Sequence, residues 1–446
     1  MASSASSRIV KTMSLFSSVR VVGIICSLIR NKLIAWLIGP AGLGLVMLYN
    51  SVIDLIGQST RLSMDQSAQR DISRATQAES ARTITVVRRW GLWLGLAGAL
   101  VTCLLSPLLS LWSFETIDRW PTFCLLAVVP LCVTYSSCIT AQNQGLKRFK
   151  AVALSNVIGA IAGLVVAVPL IIWLRIDSIV WIIVVYGITA WLGAFLFRPR
   201  IPSVDMPRLE IVSRGSAFIR LGAQITLAMF ITQAFNYIFV LFLNTFASVD
   251  TLGIYQSGYT LMNSYVGIIF TALWMEYYPR MASLAHSPKR LSIAASHEAR
   301  VTLSLLTPLL CLFILLINPI LRLIYSDQFL GAVPYVVVGC IGIVFRVTSF
   351  CLAYVILAKG DGKTYLTTEI TSVLVGFSLN MAGYFYCGFL GLGIAYVLWY
   401  TAYTAIVAYM CHRKYGITYS PRTWTFAAVS FGIVTTVALL YLFLIN

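Results

Sequence analysis

Charged residues are scarce in this chain of 446 residues: Asp, Glu, Lys and Arg make up 11% of it, whereas 59% is hydrophobic. A soluble domain carries about 25% charged residues, so the composition excludes an ordinary soluble protein. Acidic residues are the scarcer kind, with 15 Asp and Glu against 32 Lys and Arg, which gives a net charge of +17. The sequence therefore indicates a polytopic membrane protein, and its excess of cations needs an explanation.

Residues that hold metals or do histidine chemistry are also few. The chain has three His and ten Cys, and the cysteines form no CxxC pair and no Cys/His cluster with the spacing of a metal site. The histidines, His286, His297 and His412, fall in or beside predicted loops. We therefore expect no metal, no cofactor and no histidine-based active site.

Long apolar runs are what the sequence has in abundance. A membrane-spanning helix needs about 20 apolar residues, and helices are expected because lipid cannot satisfy unpaired backbone groups. The predicted spans lie at about 14–38, 42–66, 90–112, 120–141, 151–173, 178–197, 216–244, 251–279, 301–321, 331–358, 365–387, 389–411 and 423–445. We predict an N-terminal lobe of six spans at 1–197, a cytoplasmic linker at 198–214, a C-terminal lobe of six spans at 215–411, and a loop with a thirteenth span at 412–446.

The positions of Lys and Arg give the orientation. If the N-terminus is cytoplasmic, most cations fall in inner loops, and the outer loops hold only Arg119, Arg175 and Arg322. Cytoplasmic loops of membrane proteins collect Lys and Arg. We therefore expect a cytoplasmic N-terminus and a periplasmic C-terminus, and the net charge indicates orientation rather than nucleic-acid binding.

The two halves of the sequence echo each other. GPAGLGLVMLYN at 39–50 opens the second span, and SVDTLGIYQSGY at 248–259 opens the eighth. Because both halves start inside, the repeat is parallel, and transporters place the substrate path between such repeats. The sequence thus predicts an all-α membrane fold of two six-helix lobes, related by a pseudo-two-fold axis around a central cavity, plus one C-terminal helix.

Some cations lie inside the predicted spans, where each costs roughly 2.5–3.5 kcal/mol near the centre. Arg30 is the deepest of the three in the first span, Arg20 lies nearer the cytoplasmic end, and Lys32 is close enough to the outer end to snorkel. Arg346 lies near the middle of the tenth span and is expected to face the interior. For Arg220, near the start of the seventh span, snorkelling and a cavity position are equally open.

The second span carries a polar stripe. Helical spacing puts Asn50, Asp54, Gln58, Arg61 and Asp65 on one face. Such a stripe faces either a cavity or a structural seam against a neighbouring helix. We favour the cavity, because charged residues inside a membrane span are more often functional than structural. Asp54 is near the middle of the span, so solvation at an end does not explain it.

Three further polar residues are weaker candidates. Asn263 and the aromatic residues of the eighth span suit either a sugar-contacting wall or ordinary packing. Glu276 is close to the cytoplasmic end and either lines the cavity or pairs with Arg280. Glu369 belongs to a polar face in the eleventh span, also near an end.

Several segments together resemble a known family. They are GPAGLGL at 39–45, LGIYQSGYTLMNSYVGIIF with YYPRMASLA within 252–285, LIYSDQFLGA at 323–332 and LAKGDGKTYLTTE at 357–369. These are similar to segments of Wzx-type flippases for lipid-linked oligosaccharides, such as O-antigen units, in the multidrug/oligosaccharidyl-lipid/polysaccharide (MOP) exporter superfamily. The thirteenth span departs from the common twelve, and many relatives have fourteen.

The resemblance implies a MATE-like fold with a V-shaped cavity, alternating access, a bacterial inner-membrane location and an undecaprenyl-pyrophosphate-linked glycan as substrate. It implies that cavity cations meet the pyrophosphate, and the residues here that can do so are Arg20, Arg30, Arg61, Arg220 and Arg346. Asp54, with Glu276 or Glu369, is a candidate for coupling to an H⁺ or Na⁺ gradient. We expect a monomer that works beside glycan polymerase and assembly proteins.

Two alternatives stay open, a second kind of transporter and a membrane enzyme. A multidrug exporter of the same fold would bind cations and need an acidic cavity, whereas the deep charges here are mostly Arg. A membrane glycan polymerase or ligase would need a sizeable external loop with catalytic residues, and the predicted external loops are short. The sequence therefore favours a transporter over an enzyme.

Overall fold

The computed structural model describes residues 21–62, 64–74, 76–202, 204–265 and 286–445, together with 267, 277, 280–281 and 284; for 66, 70, 74, 77–78, 217–225, 228, 264–265 and 445 it describes the helical backbone alone. The described regular structure is helical throughout. The helices up to the middle of the chain are α1 (21–37), α2 (Pro40–Arg61), α3 (Met64–Arg74), α4 (Gln77–Phe114), α5 (Trp120–Leu126), α6 (Val128–Gly145), α7 (Phe149–Leu174), α8 (Ser178–Leu196), α9 (Arg208–Phe246) and α10 (Val249–Thr260).

The second half continues with helices of the same kind. They are α11 (Pro288–Leu315), α12 (Ile317–Ile324), α13 (Val333–Ala358), α14 (Gly362–Tyr415) and α15 (Pro421–Ile445). Element α14 is two helices joined at Gly388, whose backbone has φ 56° and ψ −134°. A five-residue π-helical segment, Leu261–Tyr265, extends α10, and short 3₁₀ turns occupy Arg175–Asp177 and Asp327–Ala332.

Within the described residues, nine helical stretches are long and apolar enough to cross a membrane. Two of them, Phe149–Leu196 and Gly362–Tyr415, each contain two of the predicted spans. The predicted spans at 14–38 and 251–279 are only partly described. The predicted all-helical, many-span architecture is confirmed.

One predicted boundary was wrong. The second span was expected to run to residue 66, but α2 ends at Arg61 because Leu62 adopts a left-handed conformation with φ 52°. Asp65 therefore lies on α3 and not on the polar face of α2.

The start of α2 explains part of the GPAGLGL segment. Gly39, at φ 86°, ends the preceding turn, and Pro40 begins the helix.

The chain packs into two compact units, Met1–Leu252 and Gly253–Asn446. Helix α9 belongs to the first unit by its contacts: the indole N–H of Trp90 donates to the Ile211 carbonyl at 2.9 Å, and the Asn244 amide donates to the Ser113 carbonyl at 2.7 Å. The packing boundary thus falls after α9 rather than before it. The lobe boundary at the 198–214 linker stays a prediction.

Helix α13 is the core of the second unit. It is buried along most of its length, and two tyrosines are anchored to its backbone. The Tyr277 hydroxyl donates to the Cys351 carbonyl and the Tyr419 hydroxyl donates to the Thr348 carbonyl, each at 2.7 Å. A side chain on this helix is therefore held by a firmly packed scaffold.

Asp361 joins the two ends of α14. Its carboxylate accepts from the Thr364 backbone N–H at 2.9 Å, the Tyr415 hydroxyl at 2.8 Å and the Lys414 ammonium at 3.1 Å. These donors, the Thr364 backbone N–H first, hold the pKa of Asp361 well below its usual range. The group lies in a loop and is partly exposed, so the ion pair itself adds little to stability. Its role is to cap the helix.

The two halves of α14 pass close to each other at glycines, which gives a stability prediction. A Cβ on Gly391 would lie 1.8 Å from the Gly383 carbonyl oxygen, whereas a Cβ on Gly432 of α15 would have no atom within 4 Å. Overpacking costs about 1–3 kcal/mol. We expect Gly391→Ala to lower the melting temperature of the detergent-solubilised protein by several degrees and Gly432→Ala to leave it unchanged. Equal melting temperatures for the two variants would contradict this packing.

Candidate functional site

A cavity of about 210 Å³ lies inside the first unit. Its walls come from α1, α2, α6 and α8, and most of the lining residues are apolar. The lining residues that carry polar groups are Arg30, Asn50, Asp54, Arg61, Thr134 and Tyr186. Thus Asn50, Asp54 and Arg61 of the predicted stripe face a cavity rather than a dry seam.

Arg30 is held in this cavity by an aromatic ring and an amide. Its guanidinium carbon lies 4.9 Å from the centre of the Tyr186 ring, a distance at which a cation is attracted to the face of the ring. Its Nε and Nη2 donate to Oδ1 of Asn31 at 3.2 and 3.1 Å. These partners orient the guanidinium and bring no negative charge.

Arg61 folds back along its own helix. Its Nε donates to the carbonyl of Gly57 at 3.1 Å, and a Cβ on Gly57 would lie 3.3 Å from Nη2 of Arg61. The absence of a side chain at Gly57 therefore gives the guanidinium its place in the cavity wall. Asp54, one turn before Gly57, is accessible and interacts electrostatically with Arg61.

The described charges of this cavity are two arginines and one aspartate. The excess is cationic, in a site surrounded by apolar helices where charges are weakly screened. A guanidinium offers a planar fork of donors that matches phosphate and carboxylate oxygens. The cavity is therefore suited to an anionic group, with Asp54 available to bind or exchange a cation.

A second arginine site lies in the second unit, at the middle of α13. Nη1 of Arg346 donates to Oδ1 of Asn263 at 2.8 Å and to the hydroxyl of Tyr396 at 3.0 Å. The guanidinium also lies 5.5 Å from the centre of the Tyr400 ring. Two of the predicted residues, Arg346 and Asn263, are thus in direct contact.

Local backbone features make room for this contact. Asn263 lies in the π-helical segment, and such segments are rare and often found at functional sites. Its amide nitrogen donates back to the Tyr259 carbonyl at 3.2 Å, which fixes the side chain. A Cβ on Gly342, one turn before Arg346, would lie 2.6 Å from the Tyr396 ring, so this glycine admits the tyrosine.

The remaining predicted residues are placed differently. Gln58 is half-buried on α2 and is not among the described cavity-lining residues. Glu369 accepts a hydrogen bond from the Tyr403 hydroxyl between the two halves of α14. Arg20 and Glu276 lie outside the described residues, and for Arg220 only the backbone of α9 is described.

The sequence patterns did not single out three aromatic residues that belong to these two sites. Tyr396 and Tyr400 are spaced as neighbours on one helix face, a visible pattern, but nothing in it points to Arg346 fifty residues earlier. Tyr186 stands in an apolar run with no polar neighbour. Their roles depend on contacts between helices, which a single sequence does not show.

The sequence of residues 33–334 matches the model of a family described as polysaccharide biosynthesis protein. No curated protein matches the chain. The family model covers well over half of the sequence, including most of the first unit and the start of the second.

Solved structures resemble the chain over nearly its whole length. A lipid II flippase MurJ in an inward closed conformation matches with a TM-score of 0.70 and 12% identity, covering 97% of this chain and 98% of that one. An inward-facing MATE multidrug transporter of the MOP superfamily gives 0.73 and 13%, covering 94% and 99%. A MATE multidrug transporter of the MOP superfamily in an outward-facing conformation gives 0.61 and 13%, covering 93% and 96%. At these identities the likeness shows the fold, and it confirms the predicted MATE-like fold.

The positive charge of the cavity in the first unit can be measured from the rates at which charged reagents label a cysteine placed in it. We expect Asn50→Cys, in a variant without native cysteines, to react faster with an anionic methanethiosulfonate than with a cationic one. Arg61→Gln should lower the ratio of the two rate constants by about tenfold, because charged clefts concentrate ions of opposite sign.

Lys32→Gln is the matched control for this ratio, since Lys32 is an exposed cation on α1 that is not among the described lining residues of the cavity. A ratio that is the same with and without Arg61 would show that Arg61 does not set the potential in the cavity.

Proposed function

Because the chain belongs to the polysaccharide biosynthesis protein family, we propose that it is a Wzx-type flippase. It would move an undecaprenyl-pyrophosphate-linked oligosaccharide, such as an O-antigen repeat unit for lipopolysaccharide, from the cytoplasmic to the periplasmic leaflet of the bacterial inner membrane. The observation that carries the proposal is the pair of guanidinium groups, Arg30 and Arg61, in a cavity enclosed by apolar helices.

The substrate proposed here has three chemically different parts. The pyrophosphate is anionic and would be bound by Arg30 and Arg61 of the first unit. Arg346 offers a separate guanidinium for an anionic group in the second unit. Sugar hydroxyls suit the amide of Asn263 and the neighbouring tyrosines, which offer hydrogen bonds and ring faces. The isoprenoid tail is apolar and would stay in the surrounding lipid.

Arginine is the right residue for the first of these parts. Each guanidinium can present two parallel N–H groups to phosphate oxygens, and charge-assisted hydrogen bonds of this kind are roughly twice as strong as neutral ones. Release on the other side requires that binding be modest. The aromatic and amide partners of Arg30 and Arg346 can take the guanidinium back when the substrate leaves.

Asp54 is the candidate for coupling. Its carboxylate lies in the same cavity as Arg61 and interacts with it. Binding of H⁺ or Na⁺ to Asp54 would strengthen the positive potential of the cavity, and release of the cation would weaken it. A gradient could therefore alternate the affinity for the pyrophosphate. The cavity roles of Arg20, Arg220, Gln58, Glu276 and Glu369 stay predictions.

The second candidate is a multidrug cation antiporter, which the MATE-like fold and Asp54 support. We favour the flippase for two reasons. The family model describes polysaccharide biosynthesis, and the arginines of the first cavity outnumber its acidic residue among the described lining residues. A cationic drug would be repelled by that excess.

The proposal predicts loss of glycan export on removal of single charges. We expect Arg30→Gln, Arg61→Gln and Arg346→Gln each to reduce surface glycan by at least about tenfold, since a hydrogen bond to a charged group contributes about 1.5–3 kcal/mol. Surface glycan is measured with a glycan-specific label in cells that lack the wild-type gene, and the amount of protein in the membrane is measured in parallel.

The control is Lys32→Gln, which removes an exposed cation two residues from Arg30 on the same helix. It should leave export at the wild-type level. Normal export in a chain that lacks both Arg61 and Arg346 would rule out the assigned pyrophosphate site.

A further inference from the structure

A groove of about 630 Å³ lies between α11 and α15 in the second unit, apart from the arginine site on α13. Its basic residues, His297 and Arg300, lie at one end, and exposed apolar side chains line much of the rest. The described lining residues are His297, Arg300, Val301, Thr302, Ser304, Leu305 and Phe426. Nothing in the proposed transport cycle uses this groove.

The polar end is firmly built. Nε of Arg300 donates to the carbonyl of Ser296 at 3.2 Å, one turn earlier on α11. The chain that leads into α15 is tied to the same residue, because the Ser420 N–H donates to Oγ of Ser296 at 3.0 Å. His297 is exposed one turn before Arg300, on the same helix. A guanidinium and an imidazole therefore stand together on an ordered support.

The apolar part of the groove continues away from this end. Val301 and Leu305 are 51% and 62% exposed, and Phe426 faces them from α15 at 36%. Farther along α11, Leu309 and Leu312 are exposed as well. In a chain whose helices are apolar enough to cross a membrane, such a surface is covered by lipid.

The basic residues around the polar end show which lipid is favoured. Lys289 and Arg290 begin α11 and Arg422 begins α15, and all three are exposed. Positive charge at this end matches the predicted cytoplasmic side, where the leaflet is rich in anionic lipids. Basic pockets between membrane-spanning helices on that side bind anionic headgroups.

We propose that this groove binds an anionic phospholipid. Its phosphodiester would accept hydrogen bonds from Arg300 and His297, and one acyl chain would lie along Val301, Leu305 and Phe426. A zwitterionic lipid has the same chains but carries its own ammonium, so it gains less from the cationic end. The inference does not depend on the substrate that the protein transports.

The test uses the delipidated full chain in detergent, titrated with dioleoyl phosphatidylglycerol or dioleoyl phosphatidylcholine. Native mass spectrometry counts bound lipids, and the melting temperature is followed in parallel. We expect the anionic lipid to bind more tightly than the zwitterionic one. Replacing both His297→Gln and Arg300→Gln should weaken its binding by at least about fivefold, which is the effect of the roughly 1 kcal/mol expected for one arginine.

Two further variants keep the test decisive. Arg322→Gln removes an exposed cation of the second unit on the predicted outer side, outside the groove, and should leave binding unchanged. Leu305→Trp fills the exposed apolar part, keeps both polar groups and should also weaken binding. Equal binding of the two lipids, or wild-type affinity in both groove variants, would overturn the proposal. So would a groove that takes undecaprenyl phosphate but not phosphatidylglycerol.

Discussion

A guanidinium inside an apolar helix bundle loses its water, and this costs several kcal/mol unless N–H acceptors and polarisable rings replace the hydration shell. The structure around Arg30, Arg61 and Arg346 meets this requirement with local features. Gly57 leaves space for Arg61, Gly342 admits Tyr396, and the π-helical segment carries Asn263 to Arg346. These two glycines and the π-helical segment therefore make room for the arginines and for their hydrogen-bond partners.

The two units replace the lost hydration of a guanidinium in the same way. Arg30 has an amide oxygen and the ring of Tyr186, and Arg346 has an amide oxygen and the ring of Tyr400. These neutral partners fix the orientation of each guanidinium, so the proposed pyrophosphate would meet a guanidinium that is already oriented.

Much of the fold could be predicted from the sequence, because lipid leaves the backbone few choices and long apolar runs report the spans. The prediction that failed was the position of one helix end, because the end of α2 at Leu62 depends on a single residue in the left-handed conformation. For the candidate site, charge inside a span was enough to single out Arg30, Arg61, Asp54 and Arg346. The tyrosines around them were not predictable, since contacts between distant helices leave no periodic signal in one sequence.

We propose that this chain moves a lipid-linked oligosaccharide across a bilayer. The most direct measurement is the protection of a fluorescent undecaprenyl-pyrophosphate-linked oligosaccharide from a membrane-impermeant quencher in vesicles that contain the purified protein. We expect protection that grows with time, depends on the protein and develops markedly more slowly with the Arg61→Gln variant. Protection equal to that of protein-free vesicles, with uptake of a cationic dye in its place, would contradict it.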